Sequence, residues 1–211
     1  MSREEFFATW SALHGGAKIS GFVKGWLHIS YLIVRPLDSL RISPNFITLL
    51  GLGLGVLTWC QSHHLIALIY LLLSLIADGI DGSLAIIREK VSLWGAELDS
   101  IVDRLVEFFW ALSFYRIGAP VIVVGVAWAA ALTQEYARAR AAGLGHRTLD
   151  VVTVAERPVR AIFLAVAMAL YFVGFERVIL VEIVAVLWMV LQCGSLVVVL
   201  RDSYSALQSD N

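Results

Sequence analysis

The sequence predicts an all-α integral membrane protein, with six transmembrane helices preceded by an N-terminal interfacial amphipathic helix. Three observations predict it. Of the 211 residues, 59% are hydrophobic and only 16% are charged, where a soluble domain carries roughly a quarter charged. The mean hydropathy is +0.81. Several apolar runs approach the roughly 20 helical residues needed to cross a bilayer core of about 30 Å. The third observation is the placement of Lys and Arg, taken up below.

The elements follow in chain order. MSREEFFATWSALHGG has no basic start leading into an apolar run and no small-residue cleavage site, so it does not read as a signal peptide. Phe6, Phe7, Trp10 and Leu13 recur at helical spacing opposite Arg3 and Glu4, as on a helix lying at a membrane surface. A short solvated helix is the other reading. Gly25 to Val34 is apolar but too short to span, and reads as a tilted interfacial helix ending at Pro36. Ser43 to Cys60 is the first span, with Pro44 suited to a first helical turn after a Ser43 cap. Gln61 to His64 make a turn, and Leu65 to about Ile87 is the second span. Trp94 to Tyr115 is the third, although it carries Glu97, Asp99, Asp103, Arg104 and Glu107. Ile117 to Thr133, Ala161 to Phe175 and Val178 to Leu200 complete the six. Cys60 and Cys193 have no metal-ligand or redox spacing and read as small buried hydrophobes.

Positive charge tests this topology, because basic loops stay cytoplasmic. Arg3, Lys18, Lys24, Arg35 and Arg41 precede the first span, and Arg88 and Lys90 follow the second. Arg138, Arg140, Arg147, Arg157 and Arg160 follow the fourth, and Arg201 follows the sixth. Thirteen of the 16 basic residues thus share one side, leaving Arg116 and Arg177 opposite and Arg104 within a span. Both termini are expected to face the cytoplasm from the cell (inner) membrane. The organisation expected is residues 1–42 as cytoplasmic and interfacial helices, 43–201 as a six-helix membrane domain and 202–211 as a cytoplasmic tail.

The informative stretch is DGIDGSLAIIREKVSLWGAELDSIVDR, residues 78 to 104. Asp78 and Asp81 end the second span, and Asp99 and Asp103 begin the third. Spacings of three and four put each pair on one helix face, and a short loop makes the two helices antiparallel neighbours. Four converging carboxylates repel or take up protons unless something positive lies between them. Arg104 projects about 100° away from Asp103 on an ideal helix. All-oxygen donors with no His or Cys suit Mg²⁺ or Mn²⁺, which completes its shell with water and substrate phosphates. The alternative is a helix-end charge cluster solvated by headgroup water. Gly82 and Gly95 permit close approach of a backbone or ligand or serve helix packing.

These residues resemble the CDP-alcohol phosphotransferase (phosphatidyltransferase) family, whose signature is D-x2-D-G-x2-A-R-x8-G-x3-D-x3-D. Asp78, Asp81, Gly82, Ala85, Gly95, Asp99 and Asp103 stand at matching intervals, and Ile86 stands where the family has Arg. Arg88 lies two residues on, about 200° around an ideal helix. Ser43-Pro44-Asn45-Phe46-Ile47-Thr48 resembles the family's S-P-N/D-x-x-T opening of the first span. SLWGAELDSIVDR (92–104), ARAAGLG (139–145) and the A-E-R-x-x-R pattern of 155–160 are most similar to the bacterial phosphatidylinositol phosphate synthases within that family.

The resemblance implies a fold, partners and roles. It implies CDP-diacylglycerol and a phosphorylated alcohol, most of all inositol phosphate, as substrates, with membrane lipid around the protein, no nucleic acid partner and a homodimer. It implies Asp78, Asp81, Asp99 and Asp103 as ligands of Mg²⁺ or Mn²⁺, two ions in number, with Asp103 also the general base. Asn45, Thr48, Gly82, Ala85, Ser92 and Gly95 are implied at the donor nucleotide, and Arg138, Arg157 and Arg160 at the acceptor phosphate. Glu107 is expected either to bind acceptor hydroxyls or to pair with Arg104. Two alternatives stay open: another acceptor such as glycerol 3-phosphate, and an inactive lipid-nucleotide-binding protein, for which Ile86 speaks. No span is broken mid-membrane by Gly or Pro around a charged pair, which argues against a transporter.

Overall fold

The structure is a computed structural model that describes residues 1–145, 152–174 and 177–209. Among these, eight α-helices and no strands are present: α1 Arg3–Leu13, α2 Gly21–Ser39, α3 Pro44–Cys60, α4 Ile66–Ile87, α5 Leu93–Arg116, α6 Val121–Gly143, α7 Arg157–Val173 and α8 Arg177–Ser209. Arg147 and the Phe175 end of the fifth expected span lie outside the described residues, as does the side chain of Arg177.

On length and hydropathy, α4 and the Val178–Gln208 stretch of α8 are each able to cross a membrane. The pair α2 and α3, bent by 113°, makes a third if taken as one broken span. The other expected spans fall short for visible reasons. Helices α3 and α7 have 17 residues each. Helix α5 carries five charges between Glu97 and Glu107, and Gln134, Glu135, Arg138 and Arg140 dilute the apolar run of α6.

The chain forms two compact units. One comprises Met1–Gly55 and Leu72–Val106, the other Val56–Leu71 and Glu107–Asn211.

In the first unit, α1 starts with a capping box. The Ser2 hydroxyl accepts from Glu5 N–H, and Ser2 N donates to the Glu5 carboxylate at 2.7 Å, satisfying two otherwise orphaned donors. The helix then buries Phe6 against Leu27, Tyr31 and Ile86. Helix α2 passes through Pro36 and continues to Ser39, correcting the expected stop at Pro36. Within a helix proline loses its own N–H bond and crowds the carbonyl four residues back, yet the Pro36 carbonyl still accepts from Leu40. Helix α3 begins at Pro44, with the Ser43 carbonyl accepting from Ile47, as expected for proline in a first turn. Val34, Ile47, Ala77, Ile80 and Leu84 form the core that holds α2, α3 and α4 together.

In the second unit, α8 packs on α6 and α7, and Phe114 stacks on Trp188 with ring centroids 5.1 Å apart. Cys60 is exposed and Cys193 half-buried, which corrects the expectation that both are buried. Cys60 is the last residue of α3, where side chains leave the packed helix face.

Candidate active site

Three of the four aspartates meet. Asp78, at the cytoplasm-directed end expected for α4, and Asp99 and Asp103, one turn apart on α5, place carboxylate oxygens within 4.8 Å of one another. All three are half-buried. The spacing of four on α5 stacks Asp99 under Asp103 on one face. The Arg104 guanidinium bends back to lie 3.6 Å from the Asp103 carboxylate, so its long stem overcomes the roughly 100° offset expected from the helix.

Asp81 is turned differently. It is buried, and the Thr48 hydroxyl donates to its Oδ2 at 2.6 Å while Gly82 N–H donates to its Oδ1 at 2.6 Å. It therefore joins α4 to α3, one turn along from the trio, and its oxygens are occupied by fixed donors. The donor set of Asp78, Asp99 and Asp103 fits a hard divalent cation: it is all oxygen, half-exposed, and of a spread that small rotations close around one ion at about 2.1 Å.

Beside the trio, within the same unit, lies a cavity of about 320 Å³. Its lining includes Asp78, Asp81 and Asp99, and also every position expected at the nucleotide: Asn45, Thr48, Gly82, Ala85, Ser92 and Gly95. Local chemistry explains several of these. Ser92 caps α5, its hydroxyl accepting from Gly95 N–H at 3.0 Å, a favoured use of serine. At Gly95 a side chain would meet that hydroxyl at 3.0 Å and the Asn45 amide at 3.5 Å. Ile86 faces the cavity edge but buries its side chain against Phe6, Leu27 and Tyr31.

The opposite wall was not foreseen from the sequence. Trp10 and Leu13 of α1, His14 at its C-cap, Trp26 of α2, and Lys90 after α4 line it. Trp10 and His14 stack with centroids 4.0 Å apart. The Trp26 indole lies so close over α4 that a Cβ on Gly79 would sit 2.2 Å from its Cζ2. The sequence signal for that contact is a glycine between the two α4 aspartates, but its partner is 53 residues earlier.

The second unit holds the arginines. Arg160 is 3% exposed. It donates to Glu107 at 2.8 Å, to Glu135 at 2.9 Å, and through Nε to the Ala155 carbonyl and the Gln192 amide oxygen. Glu107 is thus paired with Arg160, where the sequence suggested Arg104. Gln192 continues to Gln134, and Gln134 to Thr153. Arg138 grips Glu156 with both terminal nitrogens, at 3.0 and 2.7 Å. Thr153 adds a hydroxyl and a backbone N–H to the same carboxylate. Burial pushes the Glu156 carboxyl up, but the bonds from Arg138 and Thr153 outweigh it and hold it down at about 2. The Arg157 guanidinium lies 5.4 Å from the centroid of the Trp110 ring, within range of a cation–π contact.

Comparison with known proteins bears on all of this. An uncharacterized protein of Aquifex aeolicus is 38% identical over 117 residues, covering 50% of this chain and 58% of that protein. The chain therefore spans less than two thirds of that relative's length. An archaetidylinositol phosphate synthase of Pyrococcus horikoshii is 32% identical over 150 residues, 64% of this chain and 73% of that protein. In fold, the chain resembles the crystal structure of Mycobacterium tuberculosis phosphatidylinositol phosphate synthase with CDP-DAG bound, at a TM-score of 0.72 and 21% identity, covering 84% of this chain and 94% of the other. The family model for CDP-alcohol phosphatidyltransferase matches residues 41–198, and the chain belongs to that family.

Proposed function

We propose that this chain transfers a phosphatidyl group from CDP-diacylglycerol to a phosphorylated polyol, inositol phosphate foremost, and releases CMP. The observation that carries the reading is the trio Asp78, Asp99 and Asp103 beside a nucleotide-sized cavity. The names of the archaeal and mycobacterial relatives support inositol phosphate as the acceptor. Mg²⁺ or Mn²⁺, two ions in this reading, would when bound supply positive charge at the diphosphate and the CMP leaving group. Asp78 and Asp99 would hold the ions, with Asp81, fixed by Thr48 and Gly82, at their edge. Asp103 takes the proton from the acceptor hydroxyl within hydrogen-bond reach. Asn45, Thr48, Ser92 and the close-approach positions Gly82, Ala85 and Gly95 seat the nucleotide.

Arginine suits a phosphate because its fork donates bidentately. Arg138 and Arg157 are our choice for the acceptor phosphate. Arg160, buried with carboxylates on both terminal nitrogens, serves to hold Glu107 and Glu135 in place. The surroundings proposed are the inner membrane, crossed six times by α3 to α8 with α1 at its surface, both termini cytoplasmic, and a homodimer. Helices shorter than a full span cross where the bilayer thins or polar faces are covered by neighbours.

The test is CMP release by the purified protein from CDP-diacylglycerol across inositol phosphate, glycerol 3-phosphate, inositol and serine. The expected result is release with the phosphorylated polyols and none with serine. Release with glycerol 3-phosphate alone moves the acceptor, and no release with any acceptor under either metal supports the inactive alternative raised by Ile86.

A further inference from the structure

The position at which the family signature has an arginine contributes no cation here. Ile86 is buried among Phe6, Leu27 and Tyr31. The nearest arginine is committed elsewhere: Arg88 donates from Nη1 to the Ile42 carbonyl at 2.6 Å, and its Nε lies 3.5 Å from Asp38. Yet the cavity wall carries at least three carboxylates, those of Asp78, Asp81 and Asp99. Among the described residues that line it, Lys90 is the one lysine or arginine.

The backbone explains how Lys90 reaches the wall. Helix α4 ends in a closing turn in which Glu89 N–H donates to the Ile86 carbonyl and Lys90 N–H donates to the Ala85 carbonyl at 2.8 Å. This pairing is a Schellman closure, which needs one left-handed residue. Glu89 supplies it, at φ 53°, a conformation that glycine adopts freely and other residues adopt at a cost. The reversal folds Lys90 back over Ala85, beside the vacated arginine position, and no described residue offers its ammonium an ion pair or hydrogen bond.

We propose that Lys90 binds a phosphate of the nucleotide donor and supplies the cation that Ile86 does not. This inference rests on the donor reading above. It also makes Ile86 a relocation of charge within an active enzyme. Lysine serves as a point charge, without the fork of arginine, so it needs proximity more than fixed orientation.

The experiment compares CDP and cytidine binding by calorimetry, using the purified chain in neutral detergent with Mg²⁺ and no anionic lipid. Lys90→Gln is expected to weaken CDP binding about tenfold, as for loss of a charge-assisted bond, and to leave cytidine binding as in the parent. Lys90→Arg is expected to keep CDP affinity. The Lys90→Gln effect is expected to shrink as salt is raised. Equal CDP affinity in parent and Lys90→Gln overturns the inference while the donor reading stands. Parallel loss of CDP and cytidine also overturns it, by showing a structural role. A parent that binds no CDP, with Mg²⁺ or with Mn²⁺ in its place, overturns the donor reading and this inference together.

Discussion

Two groups of charges in this molecule are built on opposite plans. In the first unit, Asp78, Asp99 and Asp103 crowd together at half-exposed positions. In the second, Glu107, Glu135 and Glu156 alternate with Arg138 and Arg160. The alternating group sets each carboxylate against a guanidinium, and its deepest member is 3% exposed. The crowded group sets three carboxylates side by side, with the Arg104 guanidinium 3.6 Å from Asp103, and a bound cation would ease the repulsion among them. The contrast separates a charge cluster made to receive something from one made to hold helices together. On the function proposed above, the three aspartates belong to the chemistry and Arg160 to the framework.

That distinction can be broken by substitution. Asp103→Asn keeps size and hydrogen bonding but removes the base, so CMP release should fall by about a hundredfold to ten-thousandfold with the thermal midpoint unchanged. Turnover at the parent rate would remove Asp103 from the reaction. Arg160→Met should act the other way round. It leaves Glu107 buried without its partner, at a cost of about 3–5 kcal/mol, visible as a fall in thermal midpoint in detergent. Adding Glu107→Gln should recover much of that loss. If Arg160→Met is as stable as the parent, the paired network is not what secures the second unit.

Gly79→Ala sharpens the comparison within the first unit. Its new methyl collides with Trp26, and overpacking of this kind costs about 1–3 kcal/mol. Trp26→Leu in the same chain should restore the midpoint, whereas no loss in the single variant would show that the indole moves aside freely. The smallest effect is expected from pH. Glu156 titrates at about 2 in the folded chain against an ordinary 4.5. Its contribution is therefore complete above about pH 4.5 and is lost as pH falls toward 2. The midpoint should drop over that window less steeply in Glu156→Gln than in the parent. Identical slopes would assign the acid sensitivity to other carboxylates.

Much of this was legible in the sequence. The helical content, the approximate helix bounds and the meeting of Asp78, Asp99 and Asp103 all follow from hydropathy runs and spacings of three and four. The positions expected at the nucleotide line one cavity, because the matched signature runs along α4 and α5. What was not legible depends on side-chain direction or on distant segments. Periodicity puts Asp81 on the face of Asp78, but the Thr48 hydroxyl, 33 residues away, decides where its carboxylate points. Helix α2 continues through Pro36 to Ser39, with Val34 buried in the core shared with Ile47 and Leu84, a contact that lies outside any local pattern. Glu107 faces Arg160 across 53 residues of chain, a pairing that no local pattern announces. The aromatic wall of Trp10, His14 and Trp26 is likewise a meeting of segments, each of which alone reads as an ordinary membrane-surface helix.

The central claim is that the α4 and α5 aspartates form one site for a divalent cation. Titration of the purified chain with Mn²⁺, followed by electron paramagnetic resonance of the free ion, tests it without reference to any substrate. The parent should take up Mn²⁺ and release it to excess Mg²⁺, and the double variant Asp78→Asn with Asp99→Asn should take up none at the same concentrations. Uptake of Mn²⁺ by that variant equal to the parent's would contradict the claim.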